Sequence, residues 1–148
     1  MKIELKNIKR AAFASQETHC FEATVYIDGK RSGTVSNEGY GGCNLYYPQA
    51  LAERVEAHAR TLAPIETPYG AFSVDADLLI NELLEQTLKA KEEKRLCKRG
   101  TLVRFEGVQY KGGAWELFNT PYFEGVIARI EKLEGKRIAD CLNQRVGA

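Results

Sequence analysis

Eight consecutive residues, Asn37, Glu38, Gly39, Tyr40, Gly41, Gly42, Cys43 and Asn44, put three glycines, two amides, a carboxylate, a phenol and a thiol into one short stretch. Successive N–H groups in a glycine-rich turn can form a nest for phosphate or carboxylate oxygens. Gly39, Gly41, Gly42 and Cys43 are therefore candidate contacts for a small phosphate-bearing ligand, or for the substrate of a hydrolase. The stretch departs from both familiar phosphate loops, because no Gly-Lys-Ser/Thr ends it and no Gly-x-Gly-x-x-Gly leads into a helix. The same glycines serve equally well to reverse the chain between a strand and a helix.

Nucleophilic catalysis would need the Cys43 thiol beside an imidazole, and the chain has only His19 and His58 to offer. His58 borders an apolar helical stripe and His19 precedes a strand, so ordinary boundary and surface positions account for both. The paired carboxylates Asp75/Asp77 and Glu92/Glu93 fall on a helix start and a charged helix face, where solvated side chains are the usual outcome. Two isolated histidines do not make a metal cluster, and no catalytic motif or cofactor is expected.

Two surfaces suit macromolecules instead. Lys89, Lys91, Lys94, Arg95, Lys98 and Arg99, extended by Arg104, could meet nucleic-acid phosphates, with Lys94, Arg95, Lys98 and Arg99 as the central contacts. Tyr40, Tyr46, Tyr47, Tyr69 and Phe72 are suited to protein contact, because tyrosine offers large area at little entropic cost. The candidate partner-binding set is Asn37, Glu38, Tyr40, Asn44, Tyr46 and Tyr47, and at least two of the five aromatic residues are expected to be buried beneath their loops.

The elements that must carry these residues follow from periodicity. Ile3 and Leu5 alternate with charged residues, and Phe21, Ala23, Val25 and Ile27 alternate with Glu22, Thr24, Tyr26 and Asp28, which predicts half-buried strands. Asp28-Gly29 supplies the positive φ angles of a type I′ hairpin into a strand at 30–36, and a further strand is expected at 8–13. Pro48 opens a helix in which Leu51, Val55, Ala59 and Leu62 recur until Pro64, and 64–73 reads as a connecting loop. A second helix is expected at 75–99, with a leucine-rich first half, a basic second half and Gly100 as its stop. A hairpin of strands at 102–105 and 114–118, a third helix from Thr120-Pro121 to Gly135, and a short strand at 138–142 complete the chain. Hairpins interspersed with helices favour an α+β fold: antiparallel sheet from two hairpin or meander units, packed against about three helices in a single domain spanning 1–148.

Composition fits that picture. A chain of 148 residues, 44% hydrophobic and 28% charged, can bury roughly two-thirds of its unfolded surface without disulfides or metals. Cys20, Cys43, Cys97 and Cys141 contain no Cys-x-x-Cys pair, and Met1–Leu5 contains no signal-like apolar run, so reduced thiols, a cytoplasmic location and no membrane association are expected. A net charge of +1 gives no global field to attract nucleic acid.

The runs Phe21-Glu22-Ala23-Thr24-Val25-Tyr26-Ile27-Asp28-Gly29-Lys30 and Val35-Ser36-Asn37-Glu38-Gly39-Tyr40-Gly41-Gly42-Cys43-Asn44 resemble a pattern in small uncharacterised proteins of bacteriophages and prophages. The likeness lies mainly in the first third of the chain, with a vaguer one at 102–105 and 115–118. It implies a non-enzymatic accessory protein of a mobile element that binds a host protein, such as a defence factor, and it brings no catalytic residues with it.

Overall fold

The computed structural model describes residues 1–146 and has an α+β architecture of antiparallel sheets and helices. Its contacts gather into two compact units, Met1–Thr87 and Leu88–Ala148.

The first unit is built on a four-stranded antiparallel sheet of β1 (Ile3–Arg10), β2 (Cys20–Ile27), β3 (Lys30–Glu38) and β4 (Leu45–Tyr47), in that spatial order. The alternation read from the sequence faces as expected: Ile3, Leu5, Phe21, Ala23, Val25 and Ile27 are all buried. Asp28 and Gly29 both take positive φ, 49° and 78°, and close the β2–β3 hairpin so that Ile27 pairs with Lys30. Of the strand expected at 8–13, Ile8–Arg10 continue β1, which crosses a register shift between Lys6 and Lys9 with Asn7 at φ 52°, whereas Ala12 and Phe13 lie in a 3-10 turn. Asn tolerates this left-handed conformation, and the bulge lets one strand pair with β2 on both sides of it.

Helix α1 (Ala50–Ala59) starts two residues after Pro48 and buries Leu51, Val55 and Ala59. It ends before Leu62, which is exposed, as the chain turns with Thr61 Oγ1 donating to the His58 carbonyl at 2.6 Å. The expected loop at 64–73 is an antiparallel hairpin of β5 (Ile65–Thr67) and β6 (Gly70–Phe72), in which Ile65 pairs with Phe72. Periodicity could not reveal it, since every residue of both strands except Thr67 is exposed. Helix α2 (Ala76–Arg99) begins in this unit, where Ala76, Leu79, Ile80 and Leu84 are buried.

The second unit takes the remainder of α2 and a three-stranded antiparallel sheet of β7 (Thr101–Phe105), β8 (Glu116–Phe118) and β9 (Ile138–Cys141), with β7 central. Adjacent residues of β7 point to opposite faces. Leu102 packs with Cys97 and Leu142, while Val103 and Phe105 pack with Val126, Ile130 and Cys141, so the neighbouring apolar residues Leu102 and Val103 are buried on opposite faces. Helix α3 (Val126–Glu134) starts later than Thr120-Pro121 because Gly125, at φ 90°, takes a left-handed conformation just before it. Gly135 ends it as expected; Val126 and Ile130 are buried and Leu133 is exposed.

A short last helix, α4 (Leu142–Val146), carries a residue with no periodic signal. Asn143 is 1% exposed; its Oδ1 accepts the Leu102 N–H at 2.9 Å, and its Nδ2 donates to the carbonyls of Gly100 at 2.9 Å and Cys97 at 3.3 Å. One amide thus satisfies carbonyls left open at the end of α2 and a donor at the start of β7.

Candidate functional site

Residues 37–44 leave β3, reverse direction and enter β4, and the loop is held from inside. The Asn37 Oδ1 accepts from Thr18 Oγ1 at 2.7 Å and from the Gly39 N–H at 2.9 Å. Its Nδ2 donates to Asn44 Oδ1 at 3.1 Å and to the Gly42 carbonyl at 3.3 Å. Asn44 continues the network, its backbone N–H meeting Asp77 Oδ2 at 3.1 Å and its Nδ2 meeting Asn81 Oδ1 at 3.2 Å. Both asparagines are buried, so these two members of the candidate partner set hold the loop in place.

Gly39 is the second anchor. It is buried at φ 89°, and its carbonyl accepts the N–H groups of Gln16 and Glu17 at 3.0 Å and of Thr18 at 3.4 Å. A side chain there would run into the Ala14 carbonyl, whereas at Gly42, φ 85°, one would meet open space. The Gly41 N–H donates to Thr18 Oγ1 at 3.3 Å. Two of the glycine N–H groups proposed to grip an anion are therefore occupied by the protein's own oxygens.

The aromatic residues are more exposed than expected: only Tyr46 is partly buried, while Tyr40, Tyr47, Tyr69 and Phe72 are exposed. The pleat of β4 explains the division, since Leu45 and Tyr47 share one face and Tyr46 takes the other. Tyr46 donates its hydroxyl to Asp77 Oδ1 at 3.0 Å, and burial together with the Asp77 carboxylate pushes its phenol well above the ordinary tyrosine range. Outward stand Tyr40 at 63%, Leu45 at 63% and Tyr47 at 77% exposure. Phe13, 92% exposed, sits on the 3-10 turn Ala12–Ala14, next to the Ala14 carbonyl that abuts Gly39. Sequence reading missed Phe13 because a lone aromatic between alanines carries no pattern. Glu38 and Cys43 are also exposed.

Beside this loop, a cavity of about 350 Å³ is lined by Arg10, Glu17, His19, Asn81 and Glu85 among others. Arg10 Nε donates to His19 Nδ1 at 3.1 Å, which leaves the other ring nitrogen, Nε2, 3.5 Å from Glu85 Oε1. The imidazole is thus engaged by Arg10 and Glu85, and no hydrogen bond joins Cys43 to either histidine among the described residues. The nearby hydroxyls have structural partners: Ser15 Oγ donates to the Ala11 carbonyl and accepts from the Cys20 N–H, and Thr18 Oγ1 donates to Asn37. The arrangement can hold a polar group but presents no activated nucleophile.

Lys94, Arg95, Lys98 and Arg99 are all exposed on the second half of α2, and Arg95 makes two contacts to Glu92, at 2.6 and 2.8 Å. Among the described residues no helix is long and apolar enough to cross a membrane, and no group of three His, Cys, Asp or Glu is placed to hold a metal ion. No family model, no curated protein and no solved structure matches this chain.

Proposed function

We propose that this chain is a non-enzymatic cytoplasmic binding protein of a mobile element, and that a host protein docks on the surface carrying Tyr40, Leu45 and Tyr47. One observation carries the reading: the exposed side chains of Tyr40, Leu45 and Tyr47 stand on a loop and on the strand it enters, and the loop is tied down by the buried Asn37–Asn44 network. An aromatic surface ordered before it meets its partner loses less entropy on binding, and Tyr is prominent among residues that dominate interface energetics. The four free cysteines suit a reducing compartment. Resemblance to phage and prophage accessory proteins suggests a defence factor as the partner. The phosphate-ligand alternative is less well supported, because Gly39 and Gly41 already direct their N–H groups to Asn37 and Thr18.

The test is capture from bacterial lysate, after nuclease treatment, by the tagged full chain and by its Tyr40→Ala/Tyr47→Ala variant. A stoichiometric protein held by the wild type and lost by the variant is expected. A partner retained equally by both would move the interface elsewhere, and no partner at all would count against the function itself.

A further inference from the structure

The near-neutral chain conceals an uneven distribution of charge. The first unit has eight Lys/Arg against twelve Asp/Glu, a formal −4, and the second has thirteen against eight, a formal +5. Within the second unit the positive charge concentrates on α2. At 100° per residue, Lys91, Lys94, Arg95, Lys98 and Arg99 fall within an arc of about 140°. All five are exposed, and Glu92, paired with Arg95, lies at the margin of the arc. Lys89 belongs to a different face, where its Nζ lies near Gly113.

We propose that the second unit binds the phosphate backbone of duplex nucleic acid, without sequence preference, through this face of α2. The five cations lie within nine residues, whose eight rises cover about 12 Å of helix. Duplex DNA presents a charge roughly every 1.7 Å of its axis, so a 12 Å stripe faces several phosphates at once. The arc contains no aromatic residue on which an unpaired base could stack, which favours a duplex over a single strand. A membrane surface fits less well. An interfacial helix inserts its apolar face, but here Leu96 and Cys97 are packed with Leu102 and Leu142. This inference is independent of the protein-docking surface on the first unit.

The experiment is fluorescence polarisation of a labelled 24-bp DNA duplex with the full chain between 50 and 200 mM salt. A log–log slope of about −3 to −4.5 is expected if three to five phosphates are neutralised. Lys94→Gln/Lys98→Gln keeps good helix formers in place and should lower the slope by about 1.8, which is about 60-fold in affinity at 0.1 M salt. Lys30→Gln/Arg31→Gln, on the acidic unit, should leave binding unchanged. Circular dichroism checks that the variants keep their helix, and Lys91→Gln/Arg99→Gln replaces the first variant if it does not fold. Undetectable binding at 50 mM salt, a flat salt response, equal losses from the α2 and Lys30/Arg31 variants, or tighter binding to phosphatidylserine vesicles than to the duplex would each overturn the proposal.

Discussion

Asn37 donates its side-chain N–H to the Asn44 Oδ1 at 3.1 Å, joining the second-last residue of β3 to the residue before β4. The pair closes residues 37–44 into a loop held by side chains. Removing Asn37 leaves its partners unmatched, among them the buried Gly39 N–H and the half-buried Thr18 hydroxyl. Asn37→Ala is expected to destabilise the first unit by about 2–3 kcal/mol, measured by urea unfolding. The exposed Tyr40→Ala should stay within about 0.5 kcal/mol of wild type.

Gly39 and Gly42, three apart in this loop, should behave differently. Gly39→Ala sets a Cβ against the Ala14 carbonyl in addition to the strain of φ 89°, so the turn must move. Gly42→Ala meets open space and bears only the conformational cost, about 1–2 kcal/mol. Thermal unfolding of the two variants should show Gly39→Ala as clearly the less stable. Equal shifts would mean that the close approach to Ala14 carries no energetic weight.

Tyr46 gives the first unit an alkaline sensitivity. Its phenol titrates higher in the folded chain than in the unfolded one, where it loses its proton near pH 10. The folded state therefore holds the proton more tightly; the stabilisation is complete below pH 10 and declines as pH rises towards the elevated folded value. Urea unfolding from pH 9 to 11 should show stability falling faster for the wild type than for Tyr46→Phe. Parallel profiles would rule out the Tyr46–Asp77 contact as the cause.

In the second unit, Asn143→Ala removes the partner of the Leu102 N–H and of the Gly100 carbonyl, both at 2.9 Å, and leaves them inside. A loss of about 3 kcal/mol is expected from chemical denaturation, against almost none for Gln144→Ala on the exposed side of α4.

How far these features could be foreseen depends on which physical signal each one leaves. Ile3, Leu5, Phe21, Val25 and Ile27 revealed themselves because one face of their strands is buried and the other wet, and that alternation is written directly into residue order. Asp28-Gly29 did so through the backbone angles it permits. The hairpin Ile65–Phe72 left no signal, since a strand with both faces in water has no hydrophobic period. Asn143 was invisible for a different reason: its partners lie more than 40 positions away, and a single amide gives no hint of distant acceptors. At the candidate site the glycine-rich stretch was recognisable. Its division into buried asparagines and exposed tyrosines depended on Thr18 and Asp77, which only the tertiary structure brings to it.

The exposed hairpin of β5 and β6 has a practical consequence. Ile65 and Phe72 are register partners, so the chain departs and returns at the same point, and residues 66–71 form a detachable excursion. An epitope or fluorophore grafted beside Tyr69, 93% exposed at its tip, would extend into solvent. A short linker could replace the excursion altogether, running from the end of α1 to α2 and leaving the strand order of the main sheet intact.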